Sequence, residues 1–247
     1  MTNGGKGEGV RTALVTGSAA RIGRAIALRL AQEGYAVLAH YHTSREAAES
    51  LAREIAERGD RAELLAADLS APDGPARLAE GARRAGPIDV LVNNASSWER
   101  TPLDTQEADA FDRMVAINLR APYLLALEIG REMHARGSGC IVNLLDWSVE
   151  RPYPEYLPYG IAKAGLAAAT RGLARGLAPR VRVNGIAPGT VLLPEGSSPE
   201  QAERIRRAIP LGRIGDPEDV VEALVYLVRA PFVTGTILTL DGGRSLR

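Results

Sequence analysis

The stretch Thr16-Gly17-Ser18-Ala19-Ala20-Arg21-Ile22-Gly23 follows the apolar run Ala13-Leu14-Val15 and precedes an Ala/Leu-rich helical segment. A strand that turns through glycines into a helix restricts the chain to few architectures. Gly17 permits the tight turn, and Gly23 lets the helix lie close to the strand and to a ligand. The helix N-terminus then presents unpaired N–H groups and partial positive charge, the local setting for a dinucleotide pyrophosphate. Such a turn functions only where a parallel sheet holds it.

The rest of the chain supplies that sheet. Short apolar runs at 12–16, 35–41, 61–66, 88–93, 139–145, 181–186 and 236–240 alternate with helical patterns. The helical patterns occupy 21–33, 44–58, 72–85, 107–135, 157–178, 199–208 and 217–229. Strands apolar on both faces, separated by amphipathic helices, predict an α/β fold. The expected form is a doubly wound, Rossmann-type parallel sheet of about seven strands with helices on both faces. At 247 residues, 45% of them hydrophobic, the chain suits a single domain over residues 10–247. Residues 1–9 are glycine-rich and polar and read as a flexible tail without the apolar centre of a leader peptide. Ser70-Ala71-Pro72-Asp73 reads as a helix start, with Ser70 as cap and Asp73 as the reciprocal acid. Residues from 190 to about 216, rich in Pro, Gly, Ser and Arg, read as a mobile flap that serves as the substrate loop.

Composition excludes several partner classes. Thirty basic and thirty acidic residues cancel, which disfavours nucleic acid and anionic membranes. No uncharged apolar stretch approaches the ~18 residues of a membrane span. The lone Cys140 has no internal disulfide partner, which suits a cytoplasmic protein. His40, His42 and His134 lack ligand spacing, so no metal is expected.

Downstream, Tyr159 and Lys163 lie four residues apart and share a helix face. An ammonium beside a phenol favours the phenolate, and on that ground the pair is expected to bring the Tyr159 pKa toward neutrality. At the end of the second strand, His40-Tyr41-His42-Thr43-Ser44-Arg45 holds no acid before Glu46. A carboxylate there would repel a 2′-phosphate by about 4 kcal/mol at an effective dielectric of 20. Its absence, with Arg21, His40, Ser44 and Arg45 as donors, favours NADPH over NADH. Aromatic residues form 4% of the chain, yet Trp98, Trp147, Tyr153, Tyr156 and Tyr159 fall around the expected pocket. Rings with polar handles suit a planar heterocycle, although Trp98, Trp147 and Tyr153 could instead pack core or a subunit contact.

Taken with Asn93-Asn94-Ala95, Asn118, Pro188-Gly189 and the C-terminal Thr234-Gly235 and Asp241-Gly242-Gly243, these motifs resemble the short-chain dehydrogenase/reductase family from residue 10 onward. The resemblance implies that Tyr159 donates a proton, that Lys163 holds the nicotinamide ribose, and that Asn118 supports a relay through water. It also implies a cofactor site that includes Gly17, Arg21, Ile22, Gly23, Tyr41, His42, Asp68, Leu69, Asn94, Ala95, Ser96, Pro188 and Gly189, and a homotetramer. Two departures narrow it. The family usually has serine thirteen positions before the tyrosine; this chain has Asp146, with Ser148 two positions out of register. Arg21 stands where glycine is commoner in the phosphate turn. An ionised aspartate only accepts hydrogen bonds, which suits a substrate carrying N–H groups. Together with Ser96-Ser97-Trp98, these features are similar to the pteridine reductases. That likeness implies NADPH-dependent reduction of a pterin or folate C=N bond, with Trp98 stacked on the substrate and Arg21, Ser96, Asp146 and Tyr159 in contact with it. Another carbonyl or imine substrate is the alternative. A dinucleotide-binding sensor without turnover is a third reading, against which the intact Tyr159, Lys163 and Asn118 weigh.

Overall fold

The seven strands all run parallel, in the order β3-β2-β1-β4-β5-β6-β7. They are β1 (Thr12–Val15), β2 (Ala36–Tyr41), β3 (Ala62–Ala66), β4 (Val90–Asn93), β5 (Gly139–Leu144), β6 (Val181–Pro188) and β7 (Ile237–Leu240). The connecting helices are α1 (Arg21–Gln32), α2 (Arg45–Glu57), α3 (Gly74–Ala85), α4 (Ala108–Val115), α5 (Ala121–Arg136), α6 (Leu157–Leu177), α7 (Pro199–Ala208) and α8 (Pro217–Arg229). This computed structural model describes residues 10–193 and 196–246; the expected tail at 1–9 and positions 194–195 of the expected substrate loop lie outside the described residues.

Strand alternation divides the core in two. Ala13, Val15, Val37, Val90, Val92 and Val142 face Ile26 and Leu30 of α1, Leu51 and Ile55 of α2, and Val220 and Leu224 of α8. Their sequence neighbours Leu14, Leu38, Leu91 and Ile141 face the other way, against Leu78 of α3, Leu125, Ile129 and Met133 of α5, and Leu173 of α6. Each of these Val, Leu, Ile and Met side chains, taken from water, contributes roughly 1.5–3 kcal/mol. Chain order reverses between β1 and β4, and the crevice at that switch point is where an open sheet receives its ligand.

Two local expectations are corrected. Ser70 does not cap α3: its N–H and hydroxyl both donate to the Asp68 carboxylate, and Asp73 begins the helix with no side-chain cap. The single helix expected over 107–135 is divided. A π-helical turn over Ala116–Arg120 separates α4 from α5, and the fully buried Asn118 sits within it. Single π turns of this kind recur at functional sites. Within the expected substrate loop, the helix expected over 199–208 forms as α7 and starts at a capping box made by Ser198 and Gln201.

Candidate active site

Gly17 turns at φ +63°, with a notional Cβ only 2.9 Å from the Ala95 backbone, so β1 and β4 close on one another here. A Cβ on Gly23 would stand 2.2 Å from the Gly17 carbonyl oxygen and 2.5 Å from Asn94 Nδ2. Thr16 and Asn94 lock the two strand ends together. The Thr16 hydroxyl oxygen accepts from the N–H groups of Asn94 and Ala95, each at 2.9 Å, and Asn94 Nδ2 donates to the carbonyls of Thr16 and Gly17 at 2.8 and 3.0 Å. The N-terminus of α1 has no side-chain cap. Arg21, at its first position, adopts φ +54°, a left-handed conformation that L residues occupy at a cost and that clusters at functional sites.

These elements border a cleft of about 580 Å³, within the range of a small-molecule site. Of the residues read as cofactor-binding, Gly17, Arg21, Ile22, Gly23, His40, His42, Asp68, Leu69, Asn94, Ala95 and Ser96 line it. Tyr41, Ser44, Lys163, Pro188 and Gly189 are not among the lining residues. Ile117 and Met114 are, one position and one helical turn before Asn118, and sequence reasoning missed both. Met114, four residues before Asn118, carried a signal in its helical spacing; Ile117, adjacent to Asn118, carried none.

His40 does not have the donor role expected of it. Its Nδ1 accepts from the Gly17 N–H at 3.0 Å, and its Nε2 lies 3.1 Å from the Ala67 carbonyl. Burial lowers its pKa to about 4, so the ring is neutral and both nitrogens hold backbone in place. Arg45 is engaged by Glu49 at 2.8 Å. Facing the cleft at the end of β2 is His42, whose Nε2 lies 4.0 Å from the Asp68 carboxylate.

The residues read as catalytic converge from α6, the segment after β5 and the π-helical turn. Tyr159 and Lys163 are both buried on the first turns of α6. The Tyr159 hydroxyl donates to Asp146 Oδ2 at 3.2 Å, just beyond β5. Asp146 Oδ1 accepts from the N–H of Ser148 at 2.8 Å, which fixes the carboxylate and accounts for the buried serine two positions on. The Lys163 ammonium donates to the Leu144 carbonyl at 2.8 Å and lies 5.6 Å from the Tyr159 ring centre. Ser96 Oγ donates to Asn118 Oδ1 at 2.6 Å. Asn118 Nδ2 in turn donates to the carbonyls of Ser97 and Met114. Asn118 and Ser96 thus form one hydrogen-bonded pair, with Ser96 on the cleft wall, and Tyr159 and Asp146 form another.

The electrostatics reverse one expectation. Burial, and then the Asp146 carboxylate, raise the Tyr159 pKa well above the ordinary phenol value instead of lowering it. Tyr159 is therefore held protonated, the form needed to give a proton away. Burial depresses the Lys163 pKa to about 8, against the opposing pull of Asp146. Trp98, expected to stack on a ligand, is stacked on Tyr156 with ring centres 4.2 Å apart.

Comparison with known proteins follows the same lines. A family model described as enoyl-(acyl carrier protein) reductase matches residues 17–245. Among solved structures, the chain is 35% identical to FolM alternative dihydrofolate reductase 1 from Brucella suis in complex with NADP, with a TM-score of 0.89 and 96% of each chain covered. It is 34% identical to 3beta-hydroxysteroid dehydrogenase 1 of Eggerthella lenta, over 96% of this chain and 94% of that one. It is 33% identical to the 3-oxoacyl-(acyl-carrier-protein) reductase FabG of Staphylococcus aureus, over 94% and 97%.

Proposed function

The chain belongs to the short-chain dehydrogenase/reductase family, and on that footing we propose that it is an NADPH-dependent reductase of the C=N bond in a pterin or dihydrofolate-type ring. The observation that carries the reading is the Tyr159 hydroxyl set against the Asp146 carboxylate, where the family usually has a serine. The glycine-tight turn, the uncapped α1 N-terminus and the cleft below it fit a dinucleotide, with Gly17, Arg21, Gly23, His42, Asp68 and Ala95 to hold it. The likeness to an NADP-bound alternative dihydrofolate reductase supports both cofactor and substrate class. Bound there, NADPH supplies the hydride that reduces the ring carbon. Tyr159 gives its proton to the ring nitrogen, so that C=N becomes CH–NH. Asp146 accepts N–H groups of the heterocycle and keeps Tyr159 oriented, and Asn118 fixes the Ser96 hydroxyl at the cleft wall. Buried Lys163, while charged, stabilises the phenolate that the transfer leaves on Tyr159.

Assay of NADPH oxidation with dihydrobiopterin, dihydrofolate, simple ketones and a 3-oxoacyl thioester tests the substrate class. Turnover of ketones alone removes the pterin reading in favour of a ketoreductase, as the name of the 3-oxoacyl reductase relative suggests. Absence of turnover with every substrate leaves the dinucleotide sensor. Asp146→Ser is expected to lower pterin turnover by about tenfold, the loss of one charge-assisted hydrogen bond, and to spare any ketone activity. Equal losses on both substrates would deny the aspartate a part in substrate choice.

A pH dependence follows from Lys163. Its ammonium persists below about pH 8 and is lost as pH rises through that value, so kcat/KM is expected to fall on the alkaline side from near pH 8. A profile flat up to pH 10 would separate Lys163 from the reaction. The same reading carries an assembly of four copies, for which Tyr123 on α5 and Ile161 on α6 offer exposed apolar surface. Sedimentation velocity measures that directly. Among the described residues, no helix is long and apolar enough to cross a membrane.

A further inference from the structure

Hydrogen bonds link the walls of the cleft to one another in a closed circuit. At the phosphate turn the Gly17 N–H donates to His40 Nδ1, and the other nitrogen of that ring lies 3.1 Å from the Ala67 carbonyl. Ala67 leads into the cleft wall at Asp68–Ser70, where the Ser70 N–H and hydroxyl both donate to the Asp68 carboxylate. From the end of the π-helical turn, Arg120 Nη2 donates to the carbonyls of Ser70 and Ala71, at 2.6 and 3.0 Å. The same turn carries Ile117, which lines the cleft, and Asn118, which donates to the Ser97 carbonyl and accepts from Ser96. Asn94 and Ala95, next to Ser96 in the chain, return the circuit to Thr16 and Gly17. Thr16, His40 and Asn118 are buried, and the sheet and helices around them fix their side chains. Arg120 is different in kind, a long and partly exposed side chain that reaches across to a loop. That loop follows β3, the edge strand, so no further strand supports it from outside. Arg120 Nε is buried without a partner, which costs stability, and the two carbonyl bonds hold the head there against that cost.

We propose that Arg120 is a positioning residue that closes this circuit, holding the Asp68–Ser70 wall to the π-helical turn and so setting how tightly the adenosine half of NADPH binds. The inference rests on the cofactor part of the function proposed above and not on the pterin substrate. In an open α/β sheet the end of the second strand meets the adenosine ribose and its 2′ group. His42 stands at that end, 4.0 Å from Asp68, so the wall that Arg120 holds borders the adenosine half. Arg120 is not itself among the lining residues and acts through the wall. A wall already held in place spares the dinucleotide the cost of ordering it on binding. Without Arg120 that ordering falls to the ligand, and affinity drops.

Calorimetric titration of NADP+ reads this without turnover. Arg120→Met is expected to weaken binding by about tenfold, the lower end of what a hydrogen bond from a charged group supplies. Adenosine 2′,5′-bisphosphate, the phosphorylated adenosine fragment of the cofactor, should lose the same factor. Arg120→Lys keeps a charged donor of nearly equal reach and should stay within about threefold of the parent. Arg120→Gln, with a shorter neutral head, should follow Met, and it takes that variant's place should the Met protein not fold. A general loss of stability lowers the melting temperature and leaves the Kd of the folded protein unchanged, so affinity separates positioning from mere support. Parent-like NADP+ affinity in the folded Met and Gln variants overturns the proposal. Equal weakening by Met and Lys overturns it as well, since the charged donor would then not matter, and so does a loss for NADP+ that spares the fragment. If the parent reduces its substrate with NADPH and the variants bind NADP+ like the parent, this inference fails while the function stands. If the parent binds no NADP+, the function fails and this inference with it.

Discussion

Tyr159→Phe is expected to reduce turnover by at least ~100-fold while NADPH affinity stays within about threefold of the parent value, since one positioned acid is typically responsible for that much rate. The substitution removes one oxygen from a buried ring and leaves α6 and its packing in place. What it abolishes is the hydroxyl that donates to Asp146 at 3.2 Å. The elevated phenol pKa sharpens the expectation. A group held protonated by burial and by a neighbouring carboxylate cannot act as a resting base, so its service is to donate. Near-normal rates in the Phe variant, measured as single-turnover NADPH oxidation with the preferred substrate, would mean that another group delivers the proton.

Gly23→Ala should be nearly as damaging by a different route. The added methyl meets the Gly17 carbonyl oxygen at 2.2 Å and Asn94 Nδ2 at 2.5 Å, so the phosphate turn itself must move. Overpacking against backbone costs roughly 3 kcal/mol at the upper end of its usual range, or on the order of 100-fold in cofactor affinity if the cost falls on the turn. Should the cost fall on the whole fold instead, the melting temperature would drop by about 6–12 °C for a domain of this size. Gly172→Ala is the control, because nothing lies within 4 Å of the methyl it would add to α6. Equal NADPH affinity and melting temperature in the Gly23 and Gly172 variants would refute the close approach of α1 to its turn.

Much of this was legible in the sequence because two periodicities carry it. Alternation within strands and the spacing of apolar positions in helices gave the seven strands and their parallel sense. What escaped was decided by neighbours distant in the chain. His40 reads as a polar residue at a strand end, yet strand parity groups it with Leu38 rather than with Val37 and Ala39, and β3 covers it. Tyr159 was judged from Lys163 alone, the neighbour at helical spacing. Asp146 and the loss of water around the ring outweigh that one ammonium. The Trp98–Tyr156 pair joins two loops that no local pattern relates, and aromatic composition could announce a cluster without saying which rings touch.

The widened turn at Ala116–Arg120 has a consequence for how this chain can vary. One extra residue per turn shifts the angular phase of everything after it by about 100°. Upstream of the insertion Met114 keeps step with the cleft; downstream Leu125, Ile129 and Met133 keep step with the sheet. A uniformly wound rod could satisfy only one of those phases. Losing a single residue here would let the apolar stripe re-seat and the protein still fold, while the amide at 118 swings off its mark. Chain length at this point is thus constrained by chemistry before it is constrained by stability.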